Sequence, residues 1–320
     1  MSPRPVDPGP VPTTAPSVET YAKDVPLVGS GTAEVGVPDA DDLLRVVRTA
    51  LAEDLRYGPD ATTAATVAAD TIAVGAFTPR AGGVLAGVPA VRAVLDEVVG
   101  SYDVLDARPD GSRVAPGEPV LVVRAPVRGL LTAERTALNL LCHLSGIATT
   151  TASWVDAVAG TGAHIRDTRK TLPGLRLLEK YAVRCGGGVN HRLGLGDAVL
   201  IKDNHVAAAG SVAAALHRVR AAAPDLPCEV EVDSLDQLDA VLELGAELVL
   251  LDNFSVAQTA EAVRRRGSAR TLLESSGGLV LANARAYAET GVDFLAVGAL
   301  THSVIALDLG LDLRTPDLRG

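Results

Sequence analysis

Aromatic side chains are scarce: three Phe, five Tyr and one Trp make up 3% of 320 residues. The formal net charge is −10. The chain therefore lacks both the stacking platforms and the cationic track that nucleic acid demands. It also lacks any apolar run of the roughly 18 residues a membrane helix needs, and no charged-then-apolar signal pattern opens it. Cysteine is limited to Cys142, Cys185 and Cys228, an odd number without a C-x-x-C pair. That excludes a disulfide framework and a zinc knuckle, and suits small buried thiols in a reducing compartment. These absences predict a cytoplasmic protein with small-molecule partners, no nucleic acid and no membrane.

What is present is apolar material for one large core or two modest ones, at 48% hydrophobic content. Residues 1–38 are Pro-rich and poor in large apolar groups, so the sequence predicts a tail that is disordered or ordered only by docking. From Asp39, an N-cap candidate, Leu43, Val46, Val47, Ala50 and Leu51 fall at helical spacing and predict a helix over about 40–55. Short β-branched runs between Thr71 and Val127, broken by Gly and Pro and by a "PDG" turn at 109–111, predict a small antiparallel sheet with a helix near 89–99. Leu131, Leu138, Leu141 and Leu144 then predict a long linking helix or helix pair. The first unit is thus read as 39–145 and the second as 146–320.

Beyond Gly160, six apolar runs ("HI", "AVLI", "CEVEV", "ELVLL", "RTLLE", "DFLAV") alternate with helical stretches, one of them opened by a Ser234-x-x-Gln237 capping box. Alternation of this kind predicts parallel strands with crossover helices. Six strands fall short of an eight-fold barrel, so the expected form is an incomplete α/β barrel. A doubly wound open sheet is the alternative.

The chemistry concentrates at the ends of these runs. From 164 to 205 eight Lys/Arg face four Asp/Glu, a local +4 within an acidic chain, and such islands answer to anions. Strand period two puts Glu229, Glu231 and Asp233 of "CEVEVDS" on one face; with Asp252 they offer hard oxygens for Mg²⁺, charge for a cationic transition state, or structural partners for Lys202 or Lys170. "ESSGG" (274–278) and "VGALTHS" (297–303) fit phosphate cradles, where glycine permits close backbone approach. "CGGGVNHRLGLG" lacks a preceding strand and the G-x-G-x-x-G spacing, so its glycines are read as turn formers and no dinucleotide site is expected.

Together "RTALNLLCHLSGIAT", "DTRKTLPGLRLLEKYAVRCGGGVNHRLGLGDAVLIKDNH", "CEVEVDS", "LLDNF", "ESSGG" and "GVDFLAVGALTHS" closely resemble the quinolinate phosphoribosyltransferases, over roughly residues 40–312. The resemblance implies an N-terminal α/β open-faced sandwich domain plus a C-terminal incomplete α/β, TIM-like barrel. It implies transfer of phosphoribosyl from phosphoribosyl pyrophosphate to quinolinate with decarboxylation, giving nicotinate mononucleotide. By matching motifs, Arg135, Thr168, Arg169, His191, Arg192 and Lys202 would hold quinolinate. Lys170 would face the departing pyrophosphate, Glu231 and Asp252 would be catalytic, and Glu231, Asp252 and Asp203 would hold Mg²⁺. Lys170, Ser275, Ser276, Gly277, Gly278, Gly298 and Ala299 would cradle the phosphoribosyl group. The resemblance also implies a homodimer, with higher assembly open, in which Arg135 acts in trans. Two rivals stay open: a relative of the same fold encoded with molybdate transport, and a non-catalytic phosphate-sugar binding barrel.

Overall fold

The computed structural model describes residues 35–314. Most of the Pro-rich segment, 1–34, lies outside the described residues. The helix Ala40–Asp54 begins where its cap predicts, with the Asp39 carboxylate accepting the Asp42 N–H at 2.8 Å. The expected antiparallel region contains β1 (Ile72–Pro79), β2 (Gly83–Val84), β3 (Asp103–Ala107), β4 (Arg113–Val114) and β5 (Leu121–Pro126), with the helix Val88–Val98 between β2 and β3. Ala73, Gly75 and Phe77 on β1 face the same way as Ala125, Val123 and Leu121 on β5. That shared face is buried, with the helix Val127–Val158 packed on both strands. Residues of the opposite face, such as Val74 and Val122, are only partly covered, which is the open face of the sandwich.

The linking element is one helix of 32 residues, Val127–Val158, whose Leu130, Leu141 and Leu144 are buried. The boundary read between 145 and 146 therefore falls inside a continuous helix. The chain's last described strand also crosses that division: β12 (Leu309–Arg314) returns to pair antiparallel with β1, giving a sheet order β12-β1-β5-β3.

The second sheet contains β6 (His164–Arg166), β7 (Val199–Ile201), β8 (Cys228–Val232), β9 (Leu248–Asp252), β10 (Leu272–Ser276) and β11 (Phe294–Ala296), all parallel, in the order β6-β11-β10-β9-β8-β7. These are the six runs read from the sequence. Because β7 to β11 each lie beside the next strand in the chain and β6 lies beside β11, the order runs one way around a ring left open between β6 and β7; the winding is that of a barrel, and the doubly wound alternative is set aside. The first and last strands of this order do not pair. Instead Val189 forms a parallel bridge with Arg166, its N–H donating to Ile165 O at 2.9 Å, so the segment after the Gly186–Gly188 run stands in part of the gap.

Two local expectations are corrected. Gln237 reaches back to the N–H of Asp233 (3.0 Å) and Ser234 makes no side-chain cap, whereas a full capping box forms at Ser255 and Gln258. In the glycine run, Gly187 (φ +85°) is a turn former, but Gly186 and Gly188 are there for close approach. A Cβ at 186 would lie 2.4 Å from Ala148 O and 2.6 Å from Thr151 Cβ of the long helix. Gly186→Ala is expected to cost about 2 kcal/mol or more of unfolding free energy by overpacking. Gly196→Ala, whose Cβ meets nothing within 4 Å, should stay within about 0.5 kcal/mol. Urea denaturation of the two variants checks the contrast.

Candidate active site

Strand register decides which side chains share the barrel interior. Glu274, Leu250 and Glu231 are aligned across β10, β9 and β8, and Ser276, Asp252, Ala296 and Arg166 form the next layer toward the carboxyl ends. Glu229 and Leu248 lie one layer deeper. Alternate residues such as Val230, Val232, Val249 and Leu251 are buried on the opposite face, under the helices. Asp233, expected to continue the Glu229–Glu231 face, instead lies past the end of β8 and is exposed.

The interior is ionic as well as apolar. Arg166 donates to Glu274 at 2.6 Å, both buried, and its guanidinium stacks over Phe294 with 5.0 Å to the ring centroid. His191 Nε2 lies 2.8 Å from Glu229 Oε2, while His191 Nδ1 accepts the Arg192 N–H at 2.7 Å. An accepting Nδ1 carries no proton, so the ring is the neutral tautomer that donates from Nε2 to Glu229. Burial agrees, pushing the His191 imidazole down to about 4 and raising the Glu229 and Glu274 carboxyls. Lys180 and Asp167, both wholly buried, pair at 2.5 Å. Sequence reading missed this inner network. Its signal was there, in charged residues set inside apolar strands and in a lysine within a helix that is otherwise buried.

At the mouth, Lys202 pairs with Glu231, the structural partnership weighed from the sequence. Asp252 Oδ2 accepts from Asn253 Nδ2 at 2.9 Å. Asn253 itself, at φ +57°, is the one non-glycine residue in the left-handed region among the described residues. It sits there because Gly277 leaves room: a Cβ at 277 would lie 2.2 Å from Asn253 Oδ1. Thr168 Oγ1 accepts the Lys170 N–H at 3.0 Å, and Thr301 Oγ1 donates to Lys170 O at 2.8 Å, fixing the loop after β6 to the loop after β11. Gly298 lies under the Lys170 stem, since a Cβ there would come within 3.0 Å of Lys170 Cδ. The two cradle segments and Lys170 are thus brought to one mouth, with Gly278 open to solvent and Ala299 at the start of the short helix after β11.

Some expected residues are placed differently. Ser275 shares the face of Leu251 and Leu295, away from Ser276 and Asp252, and its buried hydroxyl has no hydrogen-bond partner. Only its main chain is available to the mouth. Both ring nitrogens of His191 are engaged, so a direct substrate contact would have to displace one of those hydrogen bonds. Arg192 is buried, with Nη1 donating to Ala198 O at 3.2 Å. Asp203 is exposed at the start of its helix. Arg135 is exposed on the long helix and makes no hydrogen bond or ion pair among the described residues. The buried Nε of Arg169 also lacks a partner.

For a metal, the group of potential ligands within 4.8 Å of one another among the described residues is His191, Glu229 and Glu274. Arg166 on Glu274 Oε2 and the His191 Nε2–H on Glu229 Oε2 engage one oxygen of each carboxylate, while the buried Glu229 Oε1 and Glu274 Oε1 have no hydrogen-bond partner. Glu231, Asp252 and Asp203 do not form such a group. Glu231 and Asp252 nevertheless each retain one carboxylate oxygen without a hydrogen bond among the described residues.

Comparisons with known proteins point to one family. A family model described as quinolinate phosphoribosyl transferase, N-terminal domain, matches residues 60–145, and one described as its C-terminal domain matches 147–312. The chain is 67% identical over 271 residues to a carboxylating nicotinate-nucleotide pyrophosphorylase of Mycobacterium leprae (strain TN), covering 83% of this chain and 95% of that one. It is 41% identical over 244 residues to the Homo sapiens protein of that name, covering 74% and 81%. Among solved structures, NadC from Streptococcus pyogenes superimposes with a TM-score of 0.84 at 37% identity, covering 88% of this chain and all of that one.

The neutral His191 has a consequence for stability. Its folded value, about 4, lies below its ordinary 6.5, so between those limits the unfolded chain binds a proton that the folded chain refuses. Its contribution is therefore complete above pH 6.5 and lost as the pH falls toward 4. The raised Glu229 and Glu274 act in the opposite sense, so His191→Asn is the comparison that isolates the imidazole. Urea unfolding at pH 5 and pH 7 should show a smaller pH dependence in the variant, and ¹⁵N NMR of the wild type should show the Nε2–H tautomer at pH 5.5. A charged His191 at that pH would refute the assignment.

Proposed function

The chain belongs to the quinolinate phosphoribosyl transferase family and is a pentosyltransferase of NAD biosynthesis, joining quinolinate to phosphoribosyl pyrophosphate with loss of pyrophosphate and CO₂; we propose that the mouth of the six-stranded barrel performs this reaction. The observation that carries the reading is Arg169. Its buried Nε has no partner, while Lys202 and Lys180, in the same cationic segment, are paired. A buried guanidinium donor left unsatisfied is costly, and a planar carboxylate is the acceptor its fork fits. Quinolinate, with adjacent carboxylates, supplies two such acceptors. Arg192, Lys202, Thr168 and, after rearrangement, His191 complete that side in this reading.

The pyridine nitrogen attacks the anomeric carbon of the ribose as the bond to pyrophosphate breaks. Glu231 and Asp252, at the rim, are suited to stabilise the positive charge that develops there. Lys170, over Gly298, offers an ammonium to the leaving pyrophosphate, and the main chain of 275–278 with Gly298 and Ala299 offers N–H groups to the 5′-phosphate. Once the ring nitrogen is alkylated, its positive charge stabilises the carbanion left at C2 when the C2 carboxylate departs as CO₂, and that electron pair then takes up a proton from solvent. Glu231 and Asp252, each with one uncommitted oxygen, are the residues that would hold Mg²⁺, which keeps most of its ligands as water and substrate oxygens. When bound, the ion would screen the pyrophosphate charge. Asp203 is a more distant contributor.

This reading includes a homodimer in which Arg135 reaches the neighbour's mouth. Its support is the exposed, unpaired guanidinium on the linking helix. A cytoplasmic setting is supported by three free cysteines, and no described helix is long and apolar enough to cross a membrane.

Protein mixed with Mg²⁺, phosphoribosyl pyrophosphate and quinolinate is expected to release CO₂ and form nicotinate mononucleotide, whereas nicotinate should react at least 100-fold more slowly in kcat/KM, because the second carboxylate's cations are then left unpaired. Comparable kcat/KM for the two acids would count against the quinolinate assignment of Arg169, Arg192 and Lys202. For the shared site, Arg135→Ala and Lys202→Ala homodimers should each be nearly inactive. After subunit exchange, half the dimers are mixed and each has one intact site of two, so activity should return to roughly a quarter of wild type. No recovery, with exchange verified by mass spectrometry, would remove Arg135 from the neighbour's site.

A further inference from the structure

The loop after β6 and the segment after the glycine run come from different elements, yet one buried ion pair holds both. Asp167 directly precedes Thr168, Arg169 and Lys170. Its Oδ1 accepts from Lys180 Nζ at 2.5 Å and from the His191 N–H at 2.7 Å, and its Oδ2 accepts from Asn190 Nδ2 at 2.6 Å. Lys180, on the helix Arg176–Cys185, donates in addition to His191 O at 2.9 Å. The N–H and the C=O of His191 are thus both gripped by the same pair. Asn190 is braced in turn by its bond to Lys180 O (2.9 Å) and by Arg184 donating to its Oδ1 (2.7 Å).

This arrangement is expensive for what it gives in stability. Lys180 and Asp167 have no solvent exposure, and a buried pair is often no more stable than apolar residues of the same volume. Apolar side chains, however, could not hold the main chain of one residue at both its N–H and its C=O. Nor does sheet pairing do the work, because β6 and β7 are not joined and the 189–192 segment has only the Val189 bridge to the sheet.

We propose that Lys180 and Asp167 are positioning residues for quinolinate. By clamping the His191 peptide to the start of the Arg169 loop, they set the distance between the Arg169 and Arg192 sides of the carboxylate-binding pocket without touching substrate. This rests on the assignment of Arg169 and Arg192 to quinolinate made above. The phosphoribosyl cradle adjoins the clamped loop at Lys170, Gly298 and Thr301, but its strands β10 and β11 are held by sheet pairing rather than by the clamp.

The test is a split between the two substrates together with a direct view of the clamp. In Lys180→Met combined with Asp167→Asn, which removes both charges, the quinolinate KM should rise at least ten-fold while the phosphoribosyl pyrophosphate KM stays within about two-fold. Hydrogen exchange at the His191 amide should accelerate at least ten-fold. Equal weakening toward both substrates, or no change in either with the His191 amide still protected, would overturn the proposal. Should the double variant fail to fold, Asn190→Ser keeps the ion pair but loosens its brace. It should then shift quinolinate KM and His191 exchange in the same directions by a few-fold, and an unchanged Asn190→Ser would overturn the proposal equally. Arg192→Lys is the control for the underlying assignment. If it leaves quinolinate affinity intact, the assignment of the pocket fails, and the clamp is judged on the exchange of the His191 amide alone.

Discussion

Six parallel strands do not make the cylinder that eight make, and the unpaired edges of β6 and β7 are the constraint on which the site depends. Backbone groups left along such a gap have to be satisfied or wetted. Here Val189 supplies one bridge to β6, and the following residues are anchored through side chains, with Asp167 and Lys180 taking both polar groups of the His191 peptide. A closed barrel would have fixed this region by its ladder. An open one fixes it with buried charge, and in doing so brings His191 and Arg192 beside the loop of Arg169 and Lys170.

That solution changes the meaning of the cationic island. Several of its charges neutralise carboxylates of the protein itself: Arg166 against Glu274 and Lys180 against Asp167 in the interior, and Lys202 against Glu231 at the partly exposed mouth. Burial is the reason, since an interior charge without a partner is far more costly than one in water. What remains for an anion is narrower than a count of lysines and arginines implies. Arg169 retains an unsatisfied donor, and Lys170 is exposed above Gly298.

The two sheets are joined by contacts that only small residues allow. Gly186 sits against the long helix, Gly146 of that helix admits the main chain of Ile305, and β12 carries the chain back to the first sheet. Asp110 adds a polar tie, accepting the Gly87 and Val88 N–H groups at one helix start and the Tyr181 hydroxyl from the barrel's first helix. The helices that follow β6, β10 and β11 are therefore packed against the long helix of the preceding domain.

The sequence by itself determined the element types, because period and punctuation are local: the Asp39-capped helix, the antiparallel runs, the six apolar strands and the charged residues at their ends could all be read there. Motif likeness extended that to the reaction and to a proposed set of mouth residues. What only the tertiary structure decided was which charge meets which. Ser275 turns away from the mouth because register with Leu251 and Leu295 puts it on the helical face. Gly186 and Gly188 serve packing where turns were expected, because the long helix passes beside them. Lys180, thirteen residues from Asp167, and Glu274, over a hundred from Arg166, become partners through the closing of a sheet. Pairing across such separations is a property of the assembled fold, and no local pattern in the chain encodes it.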